Sequence, residues 1–122
     1  MITQETILGQ TVHGTPSGNY DGSSQDWLSD AVKAANYYRG RGSVQTVTIS
    51  VNGFQGTLTV EASLDADPTD QAAWFTTYIY TAGSSTPVTA YHAESIIGNF
   101  TWMRVRVEDF SSGTIQSITV SY

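Results

Sequence analysis

Cysteine is absent from the 122-residue sequence, so neither a disulfide framework nor a thiolate metal site can staple the fold. Long apolar runs are missing too: no stretch approaches the ~20 residues that a membrane-spanning helix needs. Basic residues are scarce, five against eleven acidic, for a net charge of −6. Such a chain is not expected to hold nucleic acid by neutralising phosphates, or to settle on an anionic membrane. The opening MITQETILGQ has neither a basic n-region nor an apolar core, so a signal peptide is not expected. The two histidines, His13 and His92, are far apart and lack H-x-x-x-H spacing. There is no G-x-S-x-G elbow, and Gly40-Arg41-Gly42 precedes a strand pattern where a phosphate cradle would follow one, so it reads as a turn. These absences set the expectation of a protein that is not an enzyme and carries no cofactor.

What the chain does have is β-structure. Apolar residues make up 39% and charged residues 13%, and Thr, Ser, Gly, Asn and Gln supply the remaining polarity, a mix suited to sheets and turns. The length fits one domain over 1–122, able to bury about two thirds of its unfolded surface. From Val44 to Leu64, two alternating runs flank Asn52-Gly53. Val47, Ile49 and Val51 oppose Thr46, Thr48 and Ser50; Leu58, Val60, Ala62 and Leu64 oppose Thr57, Thr59, Glu61 and Ser63. A period of two puts each set on its own face, and Asn-Gly predicts a β-hairpin with a four- to five-residue connection. The run from Phe100 to Glu108 alternates as clearly, with Met103, Val105 and Val107 inward and Trp102, Arg104, Arg106 and Glu108 outward. Ser111-Ser112-Gly113 reads as a turn into a last strand with Ile118, Val120 and Tyr122 inward. Further strands are expected around Ile7 and Val12, over Trp74–Tyr80 and over Val88–His92. The loops are GTPSGNYDG, DADPTDQ and AGSSTP.

Residues 24–41 carry two patterns. As a helix over 24–38, Trp27, Leu28, Ala31, Ala34, Ala35 and Tyr38 form one stripe, with a serine N-cap, Arg39 in the last turn and Gly40 as C′. As a strand, Val32, Ala34, Asn36 and Tyr38 alternate. With antiparallel connections throughout, the fold class is all-β: an antiparallel β-sandwich, jelly-roll or galactose-binding-like.

Candidate sites are few. Asp65, Asp67 and Asp70 share one loop and offer hard oxygens of the kind calcium takes, although sandwich loops like this commonly bind no metal. Trp102, Arg104 and Arg106 share one strand face at steps of about 6.5–7 Å, where an indole beside a guanidinium could stack a sugar or clamp an anion. With Tyr78, Tyr20 and Trp27 they make up the alternative ligand-binding set. The favoured reading covers this face with the 24–41 segment or another subunit and pairs the arginines with Asp26, Asp30 or Glu108. Seven tyrosines and three tryptophans make an interface an expectation in its own right.

The YDGSS-x-D-W opening, A-x-x-Y-Y-x-G, QTV entering the central runs, F-x-G, E-A-S-L-D, P-x-x-x-x-A-W-F and G-N-F-T-W-M-R-V-R-V closing with G-T-I span residues 18–122. In these the chain resembles small uncharacterised virion structural proteins of contractile-tailed phages of marine cyanobacteria. The resemblance implies a virion component on capsid surface, neck or tail, assembled in the host cytoplasm. Its implied partners are other virion proteins and copies of itself, and it supplies no catalytic residues. The rival expectation is a carbohydrate-binding module on a receptor-binding fibre, with a surface glycan as ligand.

Overall fold

The strand that begins at Val44 runs on to Ser63 and that from Trp102 to Ser121, although in both the buried parity switches part-way along. The computed structural model describes residues 3–37, 44–66, 68, 71–82 and 87–122. Among these, eight antiparallel strands form one sheet: β1 (Gln4–Leu8), β2 (Thr11–Val12), β3 (Trp27–Leu28), β4 (Val32–Lys33), β5 (Val44–Ser63), β6 (Trp74–Ala82), β7 (Val88–Ile97) and β8 (Trp102–Ser121). The 20-residue β5 and β8 pair with each other from end to end. Along the free side of β8 dock β1, β2, β3 and β4 in series, while β5 gives its first half to β7 and its second to β6.

The predicted hairpin is therefore a bend in a single strand. A two-residue I′ turn needs positive φ at both central residues, and here Gly53 has φ 62° while Asn52 does not cross over. The bend folds the β5–β8 ribbon in half. It is built on Gly53, Gly56 (φ 155°) and Gly113 (φ 89°), with Asp109 as the one described non-glycine residue at positive φ. Gly113 is obligatory on a second count, because a Cβ there would stand 2.1 Å from the Gly53 carbonyl oxygen. Thr89 braces the bend: its hydroxyl accepts from Gly53 N–H at 3.0 Å and donates to Asn52 Oδ1 at 3.0 Å.

Folding the ribbon makes two layers from one sheet. The first holds β1, β2, β7 and the halves of β5 and β8 before and after the bend; the second holds β3, β4, β6 and the remaining halves. Val47, Ile49 and Ile118 from the first meet Leu58, Val60, Met103 and Val105 from the second in one core, and all are buried. Side chains on one face of a sheet reach such burial only under a cover, and here each layer covers the other. Gln45 also points inward; its Nε2 donates to the Ile96 and Gly98 carbonyls and its Oε1 accepts from Ala35 N–H. At the bend end Tyr20, Trp27, Phe54 and Phe110 pack ring on ring at 5.2–6.4 Å. The long GTPSGNYDG loop is thus a brace, held by Tyr20, whose hydroxyl accepts from Gly14 N–H at 2.9 Å.

Several expectations change. No α-helix forms over 24–38 among the described residues: the segment supplies β3, β4 and a 3₁₀ turn at Ala35–Tyr37, because the open edge of β8 takes up its backbone groups. Leu64 is exposed, since β5 ends at Ser63. Val12 faces water and Thr11 is buried in its place. A strict period of two over β6 would set Trp74, Thr76, Tyr78 and Tyr80 on one side and Phe75, Thr77 and Ile79 on the other; a register shift opposite Val60 and Glu61 breaks it, so that Phe75 joins the side of Tyr78 and Tyr80 and Trp74 takes the other. Strand β7 runs past His92 to Ile97. Tyr38, Arg39, the Gly40-Arg41-Gly42 turn, Asp67, Asp70 and most of AGSSTP lie outside the described residues.

Candidate contact site

On the outer face of the second layer, register fixes the neighbours. Trp102, Ser63 and Trp74 form one cross-strand row; Arg104 and Glu61 lie in the next, and Arg106, Thr59 and Ile79 follow. Glu61 is 5% exposed. Its Oε1 accepts from Arg104 Nε at 2.8 Å and its Oε2 from Arg106 Nε at 3.1 Å. Arg104 also donates to Gln71 Oε1 at 2.8 Å and lies with Cζ 4.2 Å from the centre of the Trp74 ring. Trp102 donates its indole N–H to the Ala66 carbonyl at 2.9 Å, and Tyr37 meets it edge-on at 5.2 Å. The expected arginine partners were Asp26, Asp30 and Glu108; the partner found is Glu61. A buried carboxylate between two guanidiniums has both oxygens paired, which offsets the cost of its desolvation. Arg104 is thereby held flat against the outer face, its side chain 13% exposed, while Arg106 keeps 36%. The face is a rigid aromatic and guanidinium platform, with its charge largely met from within.

The other members of the alternative set do not converge on it. Tyr20 and Trp27 are core residues at the bend. Tyr78 faces the opposite side of its layer, at the open seam between β6 and β7, where its hydroxyl shares a 2.8 Å hydrogen bond with His92 Nε2. The imidazole lies between two phenol rings, 5.7 Å from Tyr78 and 5.5 Å from Tyr80. Burial, then the charge of Glu94, then Tyr80, pushes the Tyr78 phenol above its usual range. Of the calcium triad only Asp65 is described, just beyond β5, and the described residues contain no cluster of three metal-ligating side chains.

The outer face of the first layer is built differently. Gln4, Thr6, Thr46, Thr48, Ser50, Ser117, Thr119 and Ser121 line up in register, with Tyr91, Ala93, Ser95 and Ile97 of β7 beside them. No described residue of this face is charged. Its hydroxyls are partly satisfied within the sheet: Thr46 and Ser95 bond at 3.1 Å, and Ser50 donates to Gln116 Oε1 at 2.7 Å. Tyr91 and Ile97 are each 76% exposed. The alternation of Thr46, Thr48 and Ser50 was visible in sequence; that β1, β7 and β8 extend it into one uncharged field was not, because the pairing comes from distant segments.

No family model matches the chain, and comparison with curated proteins gives no match. Among solved structures, the chain is similar to the K2 cleaved adhesin domain of Lys-gingipain, at 15% identity and a TM-score of 0.42. The alignment covers 79% of this chain and 58% of that one.

Proposed function

We propose that the chain is a non-enzymatic virion component, of the kind its sequence resemblance implies, on the capsid surface, neck or tail, acting through protein–protein contacts. The observation that carries the contact role is the outer face of the first layer. A chain of net charge −6 keeps this face free of charge and stands Tyr91 and Ile97 out from it. Depletion of charge together with an exposed aromatic is a feature that interface cores share. Its partners are other virion proteins and copies of itself. Antibody labelling of intact particles tests the reading together with a Tyr91→Asp/Ala93→Asp double variant. Labelled particles, and a variant that keeps its melting temperature but stays out of particles, support it. Purified particles without the chain overturn it.

A second reading, a glycan-binding module, is favoured by the aromatic face on which Trp74 meets Arg104 and Tyr37 meets Trp102. Glycan-array binding lost in Trp102→Ala would establish it, and an array without signal would remove it.

A further inference from the structure

Strands β6 and β7 are the outermost strands of their layers on the same side of the sandwich. Near the bend they are bridged by Tyr78 and His92 at 2.8 Å. Farther from it they part, and the gap is a wedge-shaped cleft of about 370 Å³. Its walls include Phe75, Tyr78, Phe100 and Ile96, with Glu94 on the β7 side. Phe75 and Phe100 meet at 5.6 Å, tilted by 59°. Glu94 is half-buried, and no described residue bonds or ion-pairs with it. Its charge nevertheless reaches the cleft, since it helps to hold the Tyr78 proton.

We infer that this cleft receives a lysine side chain of a partner protein, its ammonium between the Glu94 carboxylate and the Tyr78 ring and its methylenes along Phe75, Phe100 and Ile96. The inference rests on the contact role proposed above and names the chemistry of the partner. A half-buried carboxylate without a counter-ion among the described residues is a cost that an incoming cation removes. Aromatic faces attract that cation further by their quadrupole. Ammonium is matched to the cleft by count: two carboxylate oxygens and one phenol oxygen equal its three pivoting donors, whereas a guanidinium brings five. The lysine is assigned to a different protein because the one lysine of this sequence, Lys33, is already engaged over the Tyr37 ring at 4.7 Å. An acidic chain also draws basic partners by its long-range field.

The test is a ¹H–¹⁵N NMR titration of the intact chain with Nα-acetyl-lysine methylamide, beside the uncharged norleucine analogue and the arginine analogue. The expected result is saturable shifts at Thr77, Glu94 and Ile96 with lysine, weaker shifts with arginine and none with norleucine. Glu94→Gln should raise Kd by about tenfold or more with the melting temperature kept, a loss above about 1.4 kcal/mol. Phe75→Ala should also weaken binding, and being half at the surface it leaves the fold intact. Equal shifts with norleucine, or an unchanged Kd in Glu94→Gln, overturn the inference. The two proposals fail separately. Particles that carry the chain while the amide does not bind would end the cleft assignment alone; lysine binding by a chain absent from particles would end the virion role alone.

Discussion

Replacing Glu61 by Gln keeps the volume of the side chain and one acceptor but removes the charge that holds Arg104 and Arg106 in place. Breaking a buried ion pair by removing one partner costs about 3–5 kcal/mol where both groups are dry. Here Arg106 retains 36% of its side-chain exposure and rehydrates, while Arg104, at 13%, is sealed under Trp74 and cannot. Counting one stranded guanidinium and two weakened charge-assisted bonds gives a loss of about 2–3 kcal/mol. At about 2.1 cal/mol/K per residue, a 122-residue chain has an unfolding entropy near 0.26 kcal/mol/K, so the melting temperature should fall by about 10 °C. Calorimetry reads this directly. The asymmetry is the sharper test: Arg104→Gln should cost about 2 kcal/mol and Arg106→Gln under about 1 kcal/mol. In double-mutant cycles the Glu61–Arg104 coupling should exceed that of Glu61–Arg106. A Glu61→Gln melting temperature within about 2 °C of the parent, or equal couplings, would show that the triad is a surface ion pair in all but name.

Gly113→Ala should lose at least about 3 kcal/mol in denaturant unfolding, because its Cβ meets the Gly53 carbonyl at 2.1 Å and its φ is 89°. Gly9→Ala, with nothing within 4 Å of its Cβ, should stay within about 0.5 kcal/mol of the parent. The Asp21 carboxylate accepts from Ser24 Oγ, Ser24 N–H and Ser23 N–H, which lower its pKa from 3.8 to about 2. The stability it contributes is present above pH 3.8 and lost as pH falls through about 2; denaturant melts at stepped pH should show that slope flattened in Asp21→Asn. Tyr78 should ionise after ordinary tyrosines in a titration at 295 nm, a late component that Tyr78→Phe deletes. Because its folded pKa is raised, stability should fall as pH rises past about 10, where the unfolded chain ionises first.

Parity was legible wherever a strand stayed regular. Val47, Ile49, Val105 and Ile118 are buried as alternation required, and Trp102, Arg104 and Arg106 face out as expected. Which of Trp74 and Phe75 shares a side with Tyr78 was not legible, because a bulge in β6 shifts the register, and a bulge depends on the partner strand. The helix pattern over 24–38 yielded to the free edge of β8, an element some 70 residues away in sequence. Glu61 sat in plain view as the single charge among hydroxyls, yet its two partners come from a strand more than 40 residues away.

The sequence by itself determined that this chain is all-β, which side chains turn inward along its regular strands, and that glycines near 53, 56 and 113 mark changes of direction. These are local matters, set by a two-residue period and by the φ values that only glycine adopts freely. Whether Asn52-Gly53 closes a hairpin or folds a long ribbon over itself was decided by tertiary structure, since both satisfy the same local preferences and differ only in which distant strand supplies the hydrogen bonds. The same holds for the uncharged field, the Glu61 triad and the Glu94 cleft. The first two come from strands distant in sequence that pair side by side within one layer, and the third from β6 and β7, which face each other only once that ribbon has bent.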